Sequence, residues 1–297
     1  MKSVANFIPR LREALSGSLG APVRQVELIP VGGGSINQTF RLLVNRQQSF
    51  FCKVNDAGRF PGLFDKEKNG LALLAAQQTV RIPRVLLCET LENQQVLVLE
   101  WIEQGLKTGL FWQAFGQQLA ALHKISQPAF GLHEHNYMGA LPQHNTWTAG
   151  WTDFLVHQRL APLVEQARER RLLQSTHLKH FETLYRRLPE LFPPPAPAPA
   201  LLHGDLWSGN FLCDAGGQPV LIDPAVYYGH PAMDLAMTTL FGGFDPSFYD
   251  AYFYHAPPPA GYRLQWDACN LYPLLVHLNL FGSGYLAQIE GILRQFH

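Results

Sequence analysis

The stretch LLHGDLWSGNFL, residues 201–212, sets a histidine, an aspartate, an asparagine and two glycines between apolar flanks. Buried polar groups must be hydrogen-bonded or take part in chemistry, because leaving them unpaired is costly. Asp205 and Asn210 stand five positions apart in this stretch, in the pattern D-x-x-x-x-N. We therefore predict a short strand, a polar loop that carries chemistry, and a second strand.

The residues that follow predict a β-hairpin with its turn at 214–217 and Asp223 at the end of its second strand. The hairpin is expected to bring Asn210 close to Asp223. One amide and one carboxylate suit Mg²⁺, which keeps several waters and takes other ligands from phosphates. Asp205 is then placed to accept a hydroxyl proton or to orient that hydroxyl for in-line attack. The loop is interpreted as a small phosphoryl-transfer centre.

Two charged residues in the first third of the chain support this interpretation. Lys53 lies in FFCKV, on a predicted strand with apolar alternating neighbours, so its charge needs a partner. Glu67, in a helix predicted over 63–78, is the available counter-ion. Each residue alone has an ordinary explanation, a snorkelling lysine or a solvated glutamate. Their order along the chain, ahead of D-x-x-x-x-N and a further aspartate, is typical of a kinase.

A glycine-rich stretch, VGGGSINQTF, precedes Lys53. Its glycines would let backbone amides approach a nucleotide's phosphates, although three glycines alone are most often a flexible turn. The stretch departs from G-x-G-x-x-G, and it is not a P-loop because no G-K-[ST] follows.

Composition excludes several other classes. The chain has 297 residues, 47% of them hydrophobic, which suffices for a sizeable core. Its 23 basic and 23 acidic residues give a net charge of zero, so we expect neither a nucleic-acid partner nor a membrane surface. The four cysteines form no C-x-x-C pair, which favours reduced thiols and a cytoplasmic location. No secretion signal or membrane span is expected.

The patterning changes along the chain. The first third alternates β-type runs with turn residues and predicts an antiparallel meander interrupted by one helix. Beyond residue 104 the patterns become longer and helical. We therefore predict a boundary between an N-terminal lobe over 1–103 and a C-terminal lobe over 104–297. The family resemblance given below implies that the first is the ATP-binding lobe and that the second is the catalytic and substrate-binding lobe.

These motifs resemble one family closely. The sequence is similar to the fructosamine/ketosamine kinases, relatives of the aminoglycoside phosphotransferases within the protein-kinase-like fold. The matching stretches are GGGSIN, FFCKVN, LFDKEKNGL, PQHNTWTAGWTDF, HGDLWSGN and DPAVYYGHPAMDLAM. The similarity runs through most of the chain, and the last two stretches together are highly specific.

The resemblance implies an α+β, two-lobed kinase fold. It has a small N-terminal lobe with an antiparallel sheet plus one helix, a larger helical C-terminal lobe, and ATP near the LVLEWI linker. Asp205 would be the catalytic residue, with Asn210 and Asp223 as Mg²⁺ ligands. Asp234 resembles a buried aspartate that braces the catalytic loop, although a helix-terminal carboxylate explains it equally well. The implied nucleotide-binding residues are Gly32, Gly33, Gly34, Ser35, Lys53, Glu67, Glu100, Trp101 and Ile102.

The family also implies the substrate, the sugar part of a ketosamine formed when glucose or ribose glycates an amine or a protein. Phosphorylation of its C3 hydroxyl would destabilise the adduct and release the amine. Trp207 is the candidate wall for the sugar, since a flat aromatic face packs against C–H groups. A core role for Trp207 is nearly as plausible. His203 and His230 are expected to hydrogen-bond to backbone.

Two alternative functions stay open at this point. One is a small-molecule kinase for an aminoglycoside or choline, although the C-terminal third is not rich in the acids that such cations need. The other is an inactive nucleotide-binding scaffold, which the presence of all five polar positions disfavours. The sequence does not rank ribulosamine over fructosamine, or free over protein-bound adducts, and leaves the oligomeric state open.

Overall fold

The computed structural model describes residues 2–32, 36–194 and 196–296. The helices are α1 (Lys2–Leu19), α2 (Leu63–Ala75), α3 (Gly109–Leu122), α4 (Trp151–Phe154), α5 (Ala161–Glu169), α6 (Ser175–Leu191), α7 (Ala232–Leu240), α8 (Pro246–His255), α9 (Tyr262–Phe281) and α10 (Leu286–Leu293). The strands are β1 (Val26–Pro30), β2 (Gln38–Val44), β3 (Gln48–Asp56), β4 (Val85–Leu91), β5 (Gln94–Glu100), β6 (Asn136–Met138), β7 (Leu141–Gln143), β8 (Ala200–Leu202), β9 (Phe211–Cys213), β10 (Pro219–Leu221) and β11 (Tyr227–Gly229).

The chain packs as two compact units. The first consists of Met1–Leu106 with Leu212–Asp223, and the second of Lys107–Phe211 with Pro224–His297. A single division after residue 103 does not describe this packing, because a hairpin from the second half of the sequence joins the first unit.

The first unit is built on a five-stranded sheet in the order β1-β2-β3-β5-β4, antiparallel throughout. The predicted antiparallel sheet in the first third of the chain is therefore confirmed, but the predicted meander is wrong in its second half, because β3 pairs with β5 and leaves β4 at the edge. Lys53 lies on β3, opposite Thr39 of β2 and Leu97 of β5. The strand β3 has a neighbour on each side, and the Lys53 side chain is only 2% exposed.

The expectation of one helix in this unit was incomplete. Besides α2, which contains Glu67, helix α1 covers the sheet with buried Phe7, Leu11 and Leu15. These residues recur every four positions and so form one helical stripe, although Pro9 inside the helix weakens the sequence signal. Their partners in the core include Leu42, Val44, Cys52, Val96 and Val98. Helix α2 ends at Ala75, three residues before the predicted end.

Strands β9 and β10 pair into the hairpin that the sequence predicted, with Gly217 at φ 76 in its turn. The hairpin joins the first unit through Arg81, whose carbonyl accepts the Leu221 N–H at 3.0 Å and whose guanidinium pairs with Asp214. Gly105 packs against the Asp214 carbonyl so closely that a Cβ there would lie 2.2 Å from it. These contacts fix the strand that leads to Asp223.

The second unit is mostly helical, as expected. The short pairs β6–β7 and β8–β11 are antiparallel, and a π-helical segment, Leu155–Leu160, joins α4 to α5. Helix α9 lies in the interior, with most of its residues buried. In the described part of the chain, no helix is both long enough and apolar enough to cross a bilayer. The fold class, mixed α and β with a small antiparallel sheet and a larger helical part, is confirmed.

Candidate active site

The loop between β8 and β9 carries Asp205 and Asn210. Both amide hydrogens of Asn210 are directed at Asp205, since Nδ2 lies 2.8 Å from its backbone oxygen and 2.8 Å from its Oδ2. Backbone bonds from the Trp207 N–H to the Asp205 carbonyl and from the Asn210 N–H to the Trp207 carbonyl tighten the loop. This orientation leaves the Oδ1 of Asn210, a residue 5% exposed, outside both of these hydrogen bonds.

Asp234 braces this loop from the first turn of α7. Its Oδ2 accepts the His203 N–H at 2.7 Å, and its Oδ1 accepts the Gly204 N–H at 2.8 Å. His123 approaches Oδ2 at 3.2 Å and contacts the Tyr252 hydroxyl at 2.8 Å. Burial alone would raise the pKa of Asp234, but His123, His203 and the Gly204 N–H lower it overall, so the carboxylate stays ionised. Of the two explanations for Asp234, the structure favours the brace.

Gly204, next to Asp205, can only be glycine. Its φ is +85, in the region that favours glycine, and a Cβ would lie 2.0 Å from the Ala225 carbonyl oxygen. The Ala225 N–H in turn donates to the His203 carbonyl at 2.9 Å. The loop is thus pressed against the segment after Asp223 without room for a side chain.

The two histidines named from the sequence bond to backbone. His203 Nδ1 accepts the Asp205 N–H at 3.3 Å, and His230 Nδ1 accepts the Ala232 N–H at 3.1 Å. Burial lowers the pKa of His230 to about 4, so this imidazole is neutral. Each histidine therefore stabilises the turn of the backbone that contains it.

A second cluster, in the first unit, is centred on Lys53. Its Nζ lies 2.7 Å from Glu67 Oε1 and 2.5 Å from Asp223 Oδ1. Burial would lower the pKa of Lys53, but the two carboxylates raise it overall, so the amine is a fixed cation. Burial raises the pKa of Glu67 and Asp223 adds to this effect, while Lys53 opposes it. Glu67 is therefore the partner that the buried lysine requires.

Asp223 differs from Glu67 in its side-chain exposure and in its backbone conformation. Its side chain is 38% exposed, against 11% for Glu67, so it is the carboxylate of the Lys53 cluster that a ligand can reach. Its φ of 55 is uncommon for a residue other than glycine and is found more often at functional sites. The backbone of Asp223 thus presents a carboxylate at the end of the hairpin.

The donor chemistry fits Mg²⁺. Asn210 in the second unit offers an amide oxygen and Asp223 in the first unit offers a carboxylate, and each is an oxygen donor of the kind that Mg²⁺ accepts. Within the ranges that the structure describes, no group of three or more His, Cys, Asp or Glu side chains could hold a metal by itself. The four cysteines are free, as expected.

The remaining predicted nucleotide-binding residues are placed as follows. Gly32 lies in a bend, and Gly33, Gly34 and Ser35 are outside the described residues. Glu100 ends β5, where its carboxylate pairs with Arg81 at 2.6 Å. Trp101 donates its indole N–H to Glu103 at 2.9 Å beneath the Arg41 guanidinium, and Ile102 is buried. These side chains of the linker are engaged with their own unit.

Trp207 points outward from the catalytic loop and is 37% exposed. Its ring lies over Gly209, where a Cβ would come within 2.3 Å of the indole. It meets Phe241 edge-on, with ring centroids 5.9 Å apart. A purely buried core role for Trp207 does not fit this exposure.

Sequence reasoning missed a buried cation in the second unit. Arg159 is fully buried, and among the described residues no carboxylate pairs with it. Its guanidinium instead donates to the His144 carbonyl and, at 2.8 Å, to Asn145 Oδ1. It also lies over the rings of Tyr227 at 3.9 Å, Phe154 at 4.6 Å and Tyr272 at 5.4 Å. Cation–π contacts offset part of the desolvation cost.

This cation anchors a hydrogen-bond network that reaches the segment after Asp223. Asn145 and Gln143 both donate to Asn136 Oδ1, at 2.7 and 2.8 Å. Gln143 also donates to the Ala225 carbonyl at 3.0 Å, and Asn136 donates to the Val226 carbonyl at 2.9 Å. The sequence contains one signal for this network, the PQHN tetrapeptide at 142–145, to which no role was assigned above.

A strand lysine paired with a helix glutamate, and a loop with aspartate and asparagine in the spacing D-x-x-x-x-N, are features of kinases. The same fold occurs in a thermostable variant of an aminoglycoside phosphotransferase, solved as a ternary complex with ADP and hygromycin B. That structure superposes with a TM-score of 0.62 at 16% identity, over 96% of this chain and 98% of the other.

Sequence comparison is more specific. The fructosamine kinase profile matches residues 8–297, and the chain belongs to this family. It is 40% identical over 286 residues to a probable ketoamine kinase of Synechocystis sp., across 96% of this chain and 95% of the relative. It is 36% identical over 306 residues to a chloroplastic protein-ribulosamine 3-kinase of Arabidopsis thaliana, across 98% and 92%.

A solved structure of the same kind agrees. A Thermobifida fusca protein assigned as a fructosamine-3-kinase superposes with a TM-score of 0.86 at 31% identity, covering 96% of this chain and 98% of that one. The predicted family and the predicted enzyme class, a kinase, are therefore confirmed.

Proposed function

We propose that this protein is an ATP- and Mg²⁺-dependent ketosamine 3-kinase that phosphorylates the C3 hydroxyl of fructosamine or ribulosamine adducts. The carrying observation is the full-length match to the fructosamine kinase family. The names of its relatives, ketoamine kinase and protein-ribulosamine 3-kinase, support the kinase chemistry and the substrate class. A cytoplasmic location and the absence of a nucleic-acid partner remain predictions.

Each residue of the two clusters has a proposed part in the transfer. Lys53, fixed by Glu67, supplies a permanent positive charge for the nucleotide's phosphates. Asp205 accepts the proton of the sugar hydroxyl, and the hydroxyl oxygen forms a bond to the γ-phosphorus of ATP. At the same time the bond between that phosphorus and the β-γ bridging oxygen breaks, and ADP leaves. Mg²⁺, when bound by Asn210 and Asp223, would neutralise charge on the phosphates.

The glycine stretch and the linker complete the proposed nucleotide site. Backbone amides around Gly32, Gly33, Gly34 and Ser35 would approach the phosphates, since glycine permits close contact. The backbone of Glu100, Trp101 and Ile102 would contact the base, because the side chains of Glu100 and Trp101 are already engaged. Trp207 would form the wall for the sugar.

The products follow from the substrate's chemistry. Loss of a C1 proton from the phosphorylated ketosamine gives an enaminol, which expels the C3 phosphate and leaves a Schiff base. Water then hydrolyses the carbon–nitrogen double bond, which releases the free amine and a deoxy dicarbonyl sugar. The activity would thus reverse glycation of small amines or of proteins. The alternative functions, an aminoglycoside or choline kinase and an inactive scaffold, have no comparable support.

The test uses purified protein with Mg²⁺ and ATP on fructosyl-lysine and ribulosyl-lysine, with kanamycin and choline as competing acceptors. We expect that ADP is released, and that ³¹P NMR detects a phosphate at C3, with one or both of the two adducts. We expect neither result with kanamycin or choline. Asp205→Ala should lose turnover yet bind ATP in calorimetry. Phosphorylation of kanamycin or choline but of neither adduct would refute the proposal, and ATP binding with transfer to no acceptor would indicate a scaffold.

A further inference from the structure

An exposed row of aromatic rings runs away from the catalytic loop. It is formed by Trp207, Phe241 after the end of α7, His277 and Phe281 of α9, and Tyr285, and it is called the aromatic row below. Ring centroids are 5.9 Å apart from Trp207 to Phe241, 5.0 Å from Phe241 to His277, 5.6 Å from His277 to Phe281 and 4.9 Å from His277 to Tyr285. The row is therefore continuous from the residue two positions after Asp205.

The rings of the row are in contact with one another and are also partly exposed. Trp207, Phe241 and Phe281 are 37%, 39% and 50% exposed, whereas the large rings of the neighbouring core are buried. Contiguous exposed apolar surface next to a reactive loop is typical of ligand binding rather than of chance.

Two glycines hold the row in place. The Trp207 ring lies so close to Gly209 that no side chain fits between them. Gly243, two residues after Phe241, has φ +90, and a Cβ there would lie 2.6 Å from the Cβ of Ser208. The segment with Phe241 is thus packed directly on the catalytic loop, so the two rings keep their relative position.

His277 adds a polar atom to the row. Its Nδ1 lies 2.7 Å from the Pro273 carbonyl oxygen, which can only accept, so Nδ1 carries the proton. Burial lowers the pKa of His277, which keeps the ring neutral. Its Nε2 is therefore a hydrogen-bond acceptor placed among aromatic faces.

We propose that the aromatic row binds the amine part of the ketosamine, its secondary ammonium and the alkyl chain of a lysine-like carrier. This rests on the proposed function. In a ketosamine the nitrogen is attached to C1, two carbon–carbon bonds from C3. Trp207 lies two residues after Asp205 in the same loop, so a substrate with its C3 hydroxyl at Asp205 can place its nitrogen against Trp207. The protonated nitrogen gains cation–π attraction from the rings. Nε2 of His277 accepts its N–H, and the alkyl chain covers Phe241 and Phe281.

The row thus explains how a cation is recognised without a dense group of acids. The aliphatic carbons between ammonium and peptide backbone in a glycated lysine match the apolar faces of Phe241 and Phe281. The same features predict poor use of an uncharged analogue, in which N-acetylation of the ketosamine removes both the charge and the donor.

The experiment compares KM for fructosyl-Nα-acetyl-lysine with KM for its uncharged, N-acetylated ketosamine analogue. In Phe241→Leu we expect the KM of the charged adduct to rise about five-fold relative to that of the uncharged one. Phe281→Leu should raise the KM of the lysine adduct more than that of a fructosyl-methylamine adduct, whose carrier is too short to reach Phe281. Tyr254→Leu is the matched control, an 84% exposed ring on α8 outside the row, and should change neither ratio.

The proposal is overturned if both row variants leave these KM ratios as in the unmodified protein, or if Tyr254→Leu shifts them equally. If the unmodified enzyme phosphorylates no ketosamine, the proposed function fails separately. The row is then tested by quenching of tryptophan fluorescence with fructosyl-Nα-acetyl-lysine. Equal affinity of Phe241→Leu and the unmodified protein in that titration would reject it.

Discussion

Lys53 and Asp223, 170 residues apart in the chain, lie 2.5 Å apart through Nζ and Oδ1. Lys53 is buried and Asp223 is partly exposed, so one end of this ion pair is enclosed and the other is accessible to solvent. Glu67 holds the lysine from the opposite side at 2.7 Å. The position of the hairpin that ends in Asp223 is therefore tied to a cation on the central strand of the sheet.

Replacing this cation should destabilise the fold. Lys53→Met leaves the buried Glu67 carboxylate without a partner, and we expect the free energy of unfolding to fall by about 3 kcal/mol. The double variant Lys53→Met with Glu67→Met removes both buried charges and should recover part of that loss. Urea denaturation measures the free energy of unfolding of the single and the double variant. A single variant as stable as the unmodified protein would contradict the assignment of a buried, charged pair.

A matched pair of glycine substitutions separates backbone strain from steric collision. Gly204 and Gly217 have similar φ values, +85 and +76, but only Gly204 has an atom, the Ala225 oxygen, within 4 Å of the added Cβ. Gly217→Ala should cost about 1 kcal/mol. Gly204→Ala should cost about 3 kcal/mol and, since it shifts Asp205, lower kcat about 100-fold. Thermal unfolding and steady-state kinetics test this, and equal effects of the two variants would contradict it.

The network anchored by Arg159 should matter for both stability and turnover. Gln143→Met removes the donor to the Ala225 carbonyl and the acceptor of the Tyr272 hydroxyl, which is bonded at 2.7 Å. We expect a loss of about 2 kcal/mol in stability because buried polar groups stay unpaired. A lower kcat with an unchanged KM for ATP should accompany it. Gln288→Met, at an exposed position on α10, is the control and should be neutral. An effect on the KM for ATP alone would argue against a positioning role.

His230 predicts an acid-sensitive stability. Burial lowers its pKa from 6.5 to about 4, so between these pH values the unfolded chain binds a proton that the folded protein does not. Unfolding therefore becomes easier as the pH falls through this window, by up to about 3 kcal/mol at its lower end. His230→Asn keeps an acceptor for the Ala232 N–H but does not titrate. Urea denaturation at pH 6.5, 5.5 and 4.5 should show a weaker pH dependence for the variant, and parallel curves would refute the prediction.

The sequence by itself determined the fold class, and it predicted which positions carry the chemistry. Strand periodicity and turn residues are local signals, so the antiparallel sheet and the hairpin could be predicted from them. The apolar neighbours of Lys53 required a counter-ion, and the spacing of Asp205 and Asn210 marked the loop. Helix α1 was missed because a proline interrupts its pattern.

Only the tertiary structure decided how distant segments hold one another. Asp234 accepts N–H groups from residues 30 and 31 positions earlier, and Arg159 lies buried under aromatic rings. The row from Trp207 to Phe281 is assembled from the loop between β8 and β9, the residue that follows α7, and helix α9. Spacing along the chain carries no information about such contacts, because they depend on how packed elements meet in space, where burial and close approach select the partners.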